Sequence, residues 1–185
     1  PVPSAQVKSG IIFAALNTAG RTRVVEKNIT RDHTEIMLKY FGADIEIRKN
    51  ENFNQIDIVG KKELTSKDIS VPADLSSSAF FIVSALINKN SKILLENINI
   101  NPTRDGILRA LRLMGGKIEI LNKRTVNEEI IADLKVESSQ LNGCDLDEKM
   151  AHLMIDEYPI LSIAAAFANS PSTFKGLKEL RVKES

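Results

Sequence analysis

At 185 residues, with 43% apolar and 26% charged side chains and a formal net charge of +1, the chain has the make-up of a soluble globular protein, one sizeable domain or two small ones. Its even charge excludes a general electrostatic hold on nucleic acid or anionic lipid, so any anion must be gripped by local groups. No apolar run reaches the roughly 20 residues of a membrane span, and the single Cys144 excludes an internal disulfide or a cysteine-based zinc cluster.

Nothing at the N-terminus resembles a signal peptide, no initiating Met is present, and the chain stops at "ELRVKES" without a helix stop signal. The expectation is a piece of a longer cytoplasmic protein. From Ser9, "SGIIFAALNTAGRTRVVEKNITRDHTEIMLKYFGADIEI" reads as an apolar helix, a polar turn, a β-rich strand, a Thr-Arg-Asp loop, an amphipathic helix, a Gly and a strand. From Ser78, "SAFFIVSALINKNSKILLENININPTRDGILRALRLMGGKIEI" repeats that order and sets Arg104 where the first copy has Arg31. A third copy starts at Asp156, "DEYPILSIAAAFANSPSTFKGLKELRVKES", and brings Arg181 to the same loop.

Each copy therefore reads β-α-β-α-β-β. The first helices, over about 5–17, 76–88 and 157–168, are apolar nearly all round, which predicts burial inside a domain. The second helices carry a 3.6-residue stripe, Ile36, Met37 and Phe41 in one copy and Ile107, Leu108, Leu111 and Met114 in the next. Gly42 and Gly115 fall where a helix C-terminus wants a left-handed residue, and "TVNEEIIADLKVESS" alternates like a strand pair.

The loop before each apolar helix is small and polar: "PSAQ" at 3–6, "PADLSSS" at 72–78 and "IDEYP" at 155–159. Ser4, Asp74, Ser76 and Asp156 are N-cap residue types, and a helix start offers free N–H groups and a positive dipole end to an anion. For an isolated Ser or Asp, capping is explanation enough. Three homologous termini able to converge on one point weaken that explanation.

"SAQVKSGIIFAAL", "TRDHTEIMLKYFGA", "VPADLSSSAFFIVSALI", "NPTRDGILRALRLMGG", "IDEYPILSIAAAFA" and "LKELRVKES" together resemble the 5-enolpyruvylshikimate-3-phosphate synthase (3-phosphoshikimate 1-carboxyvinyltransferase) family, in its SAQ-loop bacterial class, over essentially the whole chain. The resemblance implies an α/β (α+β) fold of six βαβαββ units, an inside-out α/β barrel of the enolpyruvate transferase type, three units in each of two domains around an active-site cleft. This chain would be incomplete: residues 1–68 as the last unit of the first domain, and 69–185 as the first unit and part of the second unit of the other. "KKELTSKDISVPAD" would be one strand of the hinge.

The same resemblance implies transfer of the enolpyruvyl group of phosphoenolpyruvate to the 5-hydroxyl of shikimate 3-phosphate, with release of phosphate, in aromatic amino-acid biosynthesis. No cofactor and no metal is needed, and the partners are these two small molecules, not nucleic acid or a membrane. The full-length parent is expected to be a monomer and the fragment prone to self-association. Ser4, Ala5 and Gln6 match the loop that hydrogen-bonds shikimate 3-phosphate, with Ala5 in place of a second serine donor of the other class. Lys8, one turn on, would add a cation, and Arg31 would engage phosphate or carboxylate bidentately. Asp156 matches the candidate base for the substrate hydroxyl, Lys183 the lysine that bonds the reacting oxygens, and Glu184 the acid beside the phosphoenolpyruvate carbons. Which of the last two delivers which proton is open.

Arg104 lies in a unit whose role in the family is less direct, and Glu157 reads as structural, paired with a nearby cation. His33 and His152 lack metal-ligand spacing, and Cys144 reads as a half-buried hydrophobe. The family's N-terminal Lys-Ser and Arg, its Gly-rich loop and its C-terminal His-Arg and Lys have no counterpart here, so the expected turnover of this piece alone is nil. UDP-N-acetylglucosamine enolpyruvyl transferase and a non-catalytic phosphate-binding βαβαββ module are the competing readings.

Overall fold

The structure is a computed structural model that describes residues 4–50 and 53–182. It divides into two compact units, Pro1–Ser70 with Val126–Glu129, and Val71–Thr125 with Ile130–Ser185.

In the first unit the order is α1 (Ala5–Leu16), β1 (Arg21–Glu26), α2 (His33–Tyr40), β2 (Ile45–Lys49) and β3 (Asn54–Val59). The sheet order is β1-β3-β2, with β3 antiparallel to both neighbours. The β-branched run of β3 sends Ile56 and Ile58 into the core, where they meet Ile12 and Ala15 of α1, Leu38 of α2, and Ile45 of β2. On the other face Asp57 takes a two-bond grip from Arg23, at 2.7 and 3.2 Å. Helix α2 ends as its sequence predicts, with Gly42 at φ 87° donating to the Lys39 carbonyl.

The second unit opens on a single parallel bridge from Ala73 to Ile98 and continues through α3 (Leu75–Ile87), β4 (Lys92–Asn99), α4 (Gly106–Leu113), β5 (Lys117–Val126) and β6 (Glu129–Glu137). Its sheet order is β4-β6-β5. Asn127 and Glu128, both left-handed, make the two-residue turn between β5 and β6. The stripe predicted for α4 is the buried one: Ile107, Leu108, Leu111 and Met114 pack with Ile82 and Leu86 of α3 and Leu134 of β6. After β6 come β7 (Asp145–Leu146) and a 3₁₀ helix (Glu148–Leu153), and the third copy then contributes α5 (Tyr158–Ala166), β8 (Thr173–Phe174), parallel to β7, and a 3₁₀ turn at Glu179–Val182. The result is an α/β fold of incomplete βαβαββ units.

Four expectations are corrected. The first helices are not enclosed: Phe80 and Phe81 of α3 are 60% and 63% exposed, and Val7, Ile11 and Phe13 of α1 and Ile163 of α5 are also exposed. Each helix buries one face, because apolarity all round a helix records no neighbour on the far side. In α2 the residues that go inside are Glu35 and Leu38, while Ile36, Met37 and Phe41 are half-buried. A charged residue can hold that core-facing place because a lysine meets it there. No leading strand precedes α3, and no strand forms over 61–72. A strand needs a ladder partner, and this stretch is tied instead by Thr65 N–H to the Phe41 carbonyl at 2.8 Å and by Tyr40 Oη to the Asp68 carbonyl at 2.7 Å. Finally, the 3₁₀ helix before α5 has no counterpart in the β-α-β-α-β-β reading.

Candidate functional site

The polar loop before α1 caps it: Ser4 Oγ accepts from the Val7 N–H at 3.3 Å. The Ser4 backbone is extended, and the first turn of α1 carries Ala5 and Gln6. The loop after β1 brings Arg31 up to the start of α2, and a hydrogen bond of 2.7 Å between the Ser9 and Thr34 hydroxyls fastens the two helices together. Between them lies a pocket of about 400 Å³ lined by Ala5, Gln6 and Ser9 of α1, and by Arg31, His33 and Thr34 at the start of α2, with Gly10 and Phe13 closing its apolar side. Two helix N-termini and a guanidinium at one concavity favour an anion, and the hydroxyl and amide groups supply neutral hydrogen bonds. His33 and Thr34 were not singled out from the sequence as pocket residues, although they come two and three positions after Arg31 in "TRDHT". His33 Nδ1 lies 2.6 Å from Glu129 Oε1, a partner distant in sequence.

Lys8 does not join this lining. It is 4% exposed, with Nζ 2.7 Å from Glu35 Oε1 and 3.3 Å from Glu26 Oε2. The ammonium expected to meet substrate is engaged by two carboxylates inside the unit. Glu35 is 1% exposed, and burial pushes its carboxyl above the usual range against the opposing pull of Lys8.

In the second unit the corresponding mouth is closed. Asp74 caps α3, its carboxylate accepting from the Ser77 N–H and hydroxyl at 2.8 Å each. Burial works to raise the Asp74 carboxyl, but these bonds and the Arg104 charge hold it below the usual value. Ser76 lies within α3 and is not its cap. Its hydroxyl donates to Glu157 Oε1 and accepts from the Arg104 guanidinium, which also stands 3.5 Å from Asp74 and 4.0 Å from Glu157. Glu157, not Asp156, occupies the N-cap position of α5, with no side-chain cap bond. It is 3% exposed, whereas Asp156 beside it is exposed.

Thus Ser4, Ala5, Gln6 and Arg31 gather at one end of the first unit, and Asp156 stands at the start of α5 in the second. Lys183 and Glu184 lie outside the described residues. The Ser76–Arg104–Glu157 cluster was missed as a cluster, since each member reads singly as a cap, a loop cation and a structural acid. Burial raises the Cys144 thiol and lowers His152. Among the described residues no group of three or more His, Cys, Asp or Glu is arranged to hold a metal ion, and no helix is long and apolar enough to cross a membrane.

The family model of EPSP synthase (3-phosphoshikimate 1-carboxyvinyltransferase) matches residues 1–185. Proteins named 3-phosphoshikimate 1-carboxyvinyltransferase from Petrotoga mobilis and Zymomonas mobilis are 52% and 51% identical to it, over all of this chain and 42% and 41% of their own lengths. A solved structure of EPSP synthase from Acinetobacter baumannii matches at a TM-score of 0.89 and 44% identity, over 100% of this chain and 41% of that one. The enolpyruvyl transferase NikO from Streptomyces tendae, at 18% identity and a TM-score of 0.61 over 92% of this chain and 39% of that one, shares the fold. The chain spans about two-fifths of the length of these curated relatives.

Proposed function

Because the chain belongs to the EPSP synthase family, we propose that it is the central part of a 3-phosphoshikimate 1-carboxyvinyltransferase acting in the cytoplasm on two small molecules, phosphoenolpyruvate and shikimate 3-phosphate. In this reading residues 1–68 form the last βαβαββ unit of one domain, and 69–185 the first unit and part of the second unit of the other. The observation that carries the reading is the pocket where Ala5, Gln6 and Arg31 meet beneath two helix N-termini.

Ser4, Gln6 and Arg31 hold shikimate 3-phosphate, Arg31 through a charge-assisted bond to phosphate or carboxylate and Ser4 and Gln6 through neutral bonds, with Ala5 leaving room without adding a donor. Asp156 takes the proton of the substrate's 5-hydroxyl as the general base. Lys183 bonds the reacting oxygens, and Glu184 stands as the acid for the methylene carbon of phosphoenolpyruvate. The 5-oxygen bonds to C2 of phosphoenolpyruvate as the methylene carbon is protonated. Loss of a proton from the resulting methyl group, with cleavage of the C2–O bond to phosphate, restores the enol ether and releases inorganic phosphate.

The test uses the full-length product of the same gene with both substrates, reading phosphate release and the enolpyruvyl product by mass spectrometry. Asp156→Asn is expected to lower kcat by about 10²-fold or more, the scale of a lost general base, and the 185-residue piece alone to give no turnover. Consumption of phosphoenolpyruvate with UDP-N-acetylglucosamine in place of shikimate 3-phosphate would move the protein to the sister transferase. An Asp156→Asn variant of wild-type activity would remove the proposed base.

A further inference from the structure

We propose that Lys8 is a positioning residue: through a buried ion cluster it fixes the loop that carries Arg31 against the first turn of α1, which carries Gln6, and so sets the spacing of the two groups that grip the substrate's anionic part. The inference rests on the reading above for the identity of that substrate. Its structural basis lies wholly within the first unit.

Lys8 sits in the first turns of α1, two residues past Gln6. Its ammonium reaches Glu35 of α2 at 2.7 Å, Glu26 at the end of β1 at 3.3 Å, and the Thr30 carbonyl at 3.4 Å. Glu26 in turn accepts from the Thr30 hydroxyl at 2.9 Å and from Asn54 Nδ2, at the start of β3, at 3.3 Å. Thr30, the residue before Arg31, is therefore held twice, once through its carbonyl and once through its hydroxyl, by two members of one cluster. Four segments of chain meet at this ammonium, and three of them, α1, the Thr30–Arg31 loop and α2, carry the pocket lining.

Stability does not require this arrangement. Taking a lysine and two carboxylates out of water is costly, and apolar side chains of the same volume commonly fill such a site with no loss. Here the cost is visible: Glu35 Oε2 and Asn54 Oδ1 are buried with no hydrogen-bond partner. An apolar core, however, has no directional bond with which to fix the Thr30 backbone. Placement matters at this point, because a displacement of about 1 Å at a binding group can lower a rate by about 10²-fold.

The experiment uses the full-length protein and four variants: Lys8→Met, Lys8→Arg, Glu35→Gln and the double Lys8→Met/Glu35→Gln. Lys8→Met is expected to raise KM for shikimate 3-phosphate by about tenfold, a fraction of the full misplacement penalty, while KM for phosphoenolpyruvate stays within about twofold. Glu35→Gln, sealed from the pocket, should raise the same KM in the same direction. The double variant should be no worse than Lys8→Met, because both changes break one network, and Lys8→Arg should restore part of the loss. Amide exchange over residues 28–32 should quicken in Lys8→Met and Glu35→Gln without any substrate present.

If Lys8→Met and Glu35→Gln melt earlier but keep wild-type KM values and loop exchange, the cluster serves stability alone and the inference fails. If Lys8→Met loses binding while Glu35→Gln does not, Lys8 acts on the substrate directly, and the inference fails in a different way. Should Lys8→Met not fold, Glu35→Gln and Lys8→Arg decide the matter. An inactive wild type would sink the assigned reaction, whereas loop exchange would still test the positioning.

Discussion

The two units put an arginine at the same place and use it in opposite ways. Arg31 follows β1 and lines an open pocket with Gln6, two residues past the N-cap of α1. Arg104 follows β4 and is bonded to Ser76, two residues past the N-cap of α3, with Glu157 completing the group from the third copy. The caps differ in the same sense, a neutral serine at α1 and an aspartate at α3. In the second unit two carboxylates supply the negative charge that a helix mouth and a guanidinium attract. In the first, Ser4 caps the helix with a neutral hydroxyl, and the acids Glu26 and Glu35 are drawn inward to Lys8. One fold unit thus gives a helix mouth closed by Asp74, Arg104 and Glu157 in one place and a pocket lined by Gln6 and Arg31 in another.

The largest expected effect comes from exchanging the roles of the two arginines. Arg31→Ala in the full-length protein should raise KM for shikimate 3-phosphate by about 10²-fold, the worth of a lost charge-assisted bond, and cost stability no more than about 1 kcal/mol. Arg104→Ala should do the reverse in stability, lowering it by about 2 kcal/mol in urea denaturation, because Glu157 then stays buried without its guanidinium. Equal stability losses for the two variants would end the comparison, since the first arginine would then be as structural as the second.

Glu157→Gln refines the point. The amide oxygen can still accept from the Ser76 hydroxyl, but the charge facing Arg104 is gone. A loss of about 1 kcal/mol in the same denaturation measurement is expected, below that of Arg104→Ala. A variant as stable as wild type would mean that the hydroxyl bond, and not the ion pair, holds Glu157.

How legible this was in the sequence depended on whether a feature is local. Gly42 and Gly115, the three apolar helices, the Thr-Arg-Asp loops and the α4 stripe follow from spacing and backbone preference within a few residues, and the structure has them. Glu35 shows the limit. A periodicity rule places an acid on the solvent side, and only its partner Lys8, far off in sequence on α1, lets it occupy the core-facing position. Lys8 was misread for the same reason, since one turn from Ser4 along a helix does not say which way an ammonium turns. Ser76, Arg104 and Glu157 come from three separate stretches, so each had a bland individual reading and only the fold brings them together. The exposed Phe80 and Phe81 mark the remaining gap, because a helix's apolar periphery does not reveal what stands next to it.

The smallest effect is also the most discriminating in sign. Burial raises the Glu35 carboxyl above its ordinary 4.5, so the folded state binds that proton more tightly than the unfolded chain does. Its contribution to stability is fully present below the unfolded value and is lost as pH rises through the folded one. At Asp74 burial acts in the same direction, but the Ser77 bonds and Arg104 outweigh it and hold the carboxyl below its ordinary 3.8. That contribution is present above the unfolded value and is lost as pH falls through the folded one. Subtracting each variant's denaturation midpoint from wild type across an acid-to-neutral series should therefore give slopes of opposite sign. The stability wild type holds over Glu35→Gln should shrink as pH rises above about 4.5, and that over Asp74→Asn should shrink as pH falls below about 3.8. Slopes of the same sign would mean that the two units keep their carboxylates in the same electrostatic condition, and that the contrast between the two helix mouths has another cause.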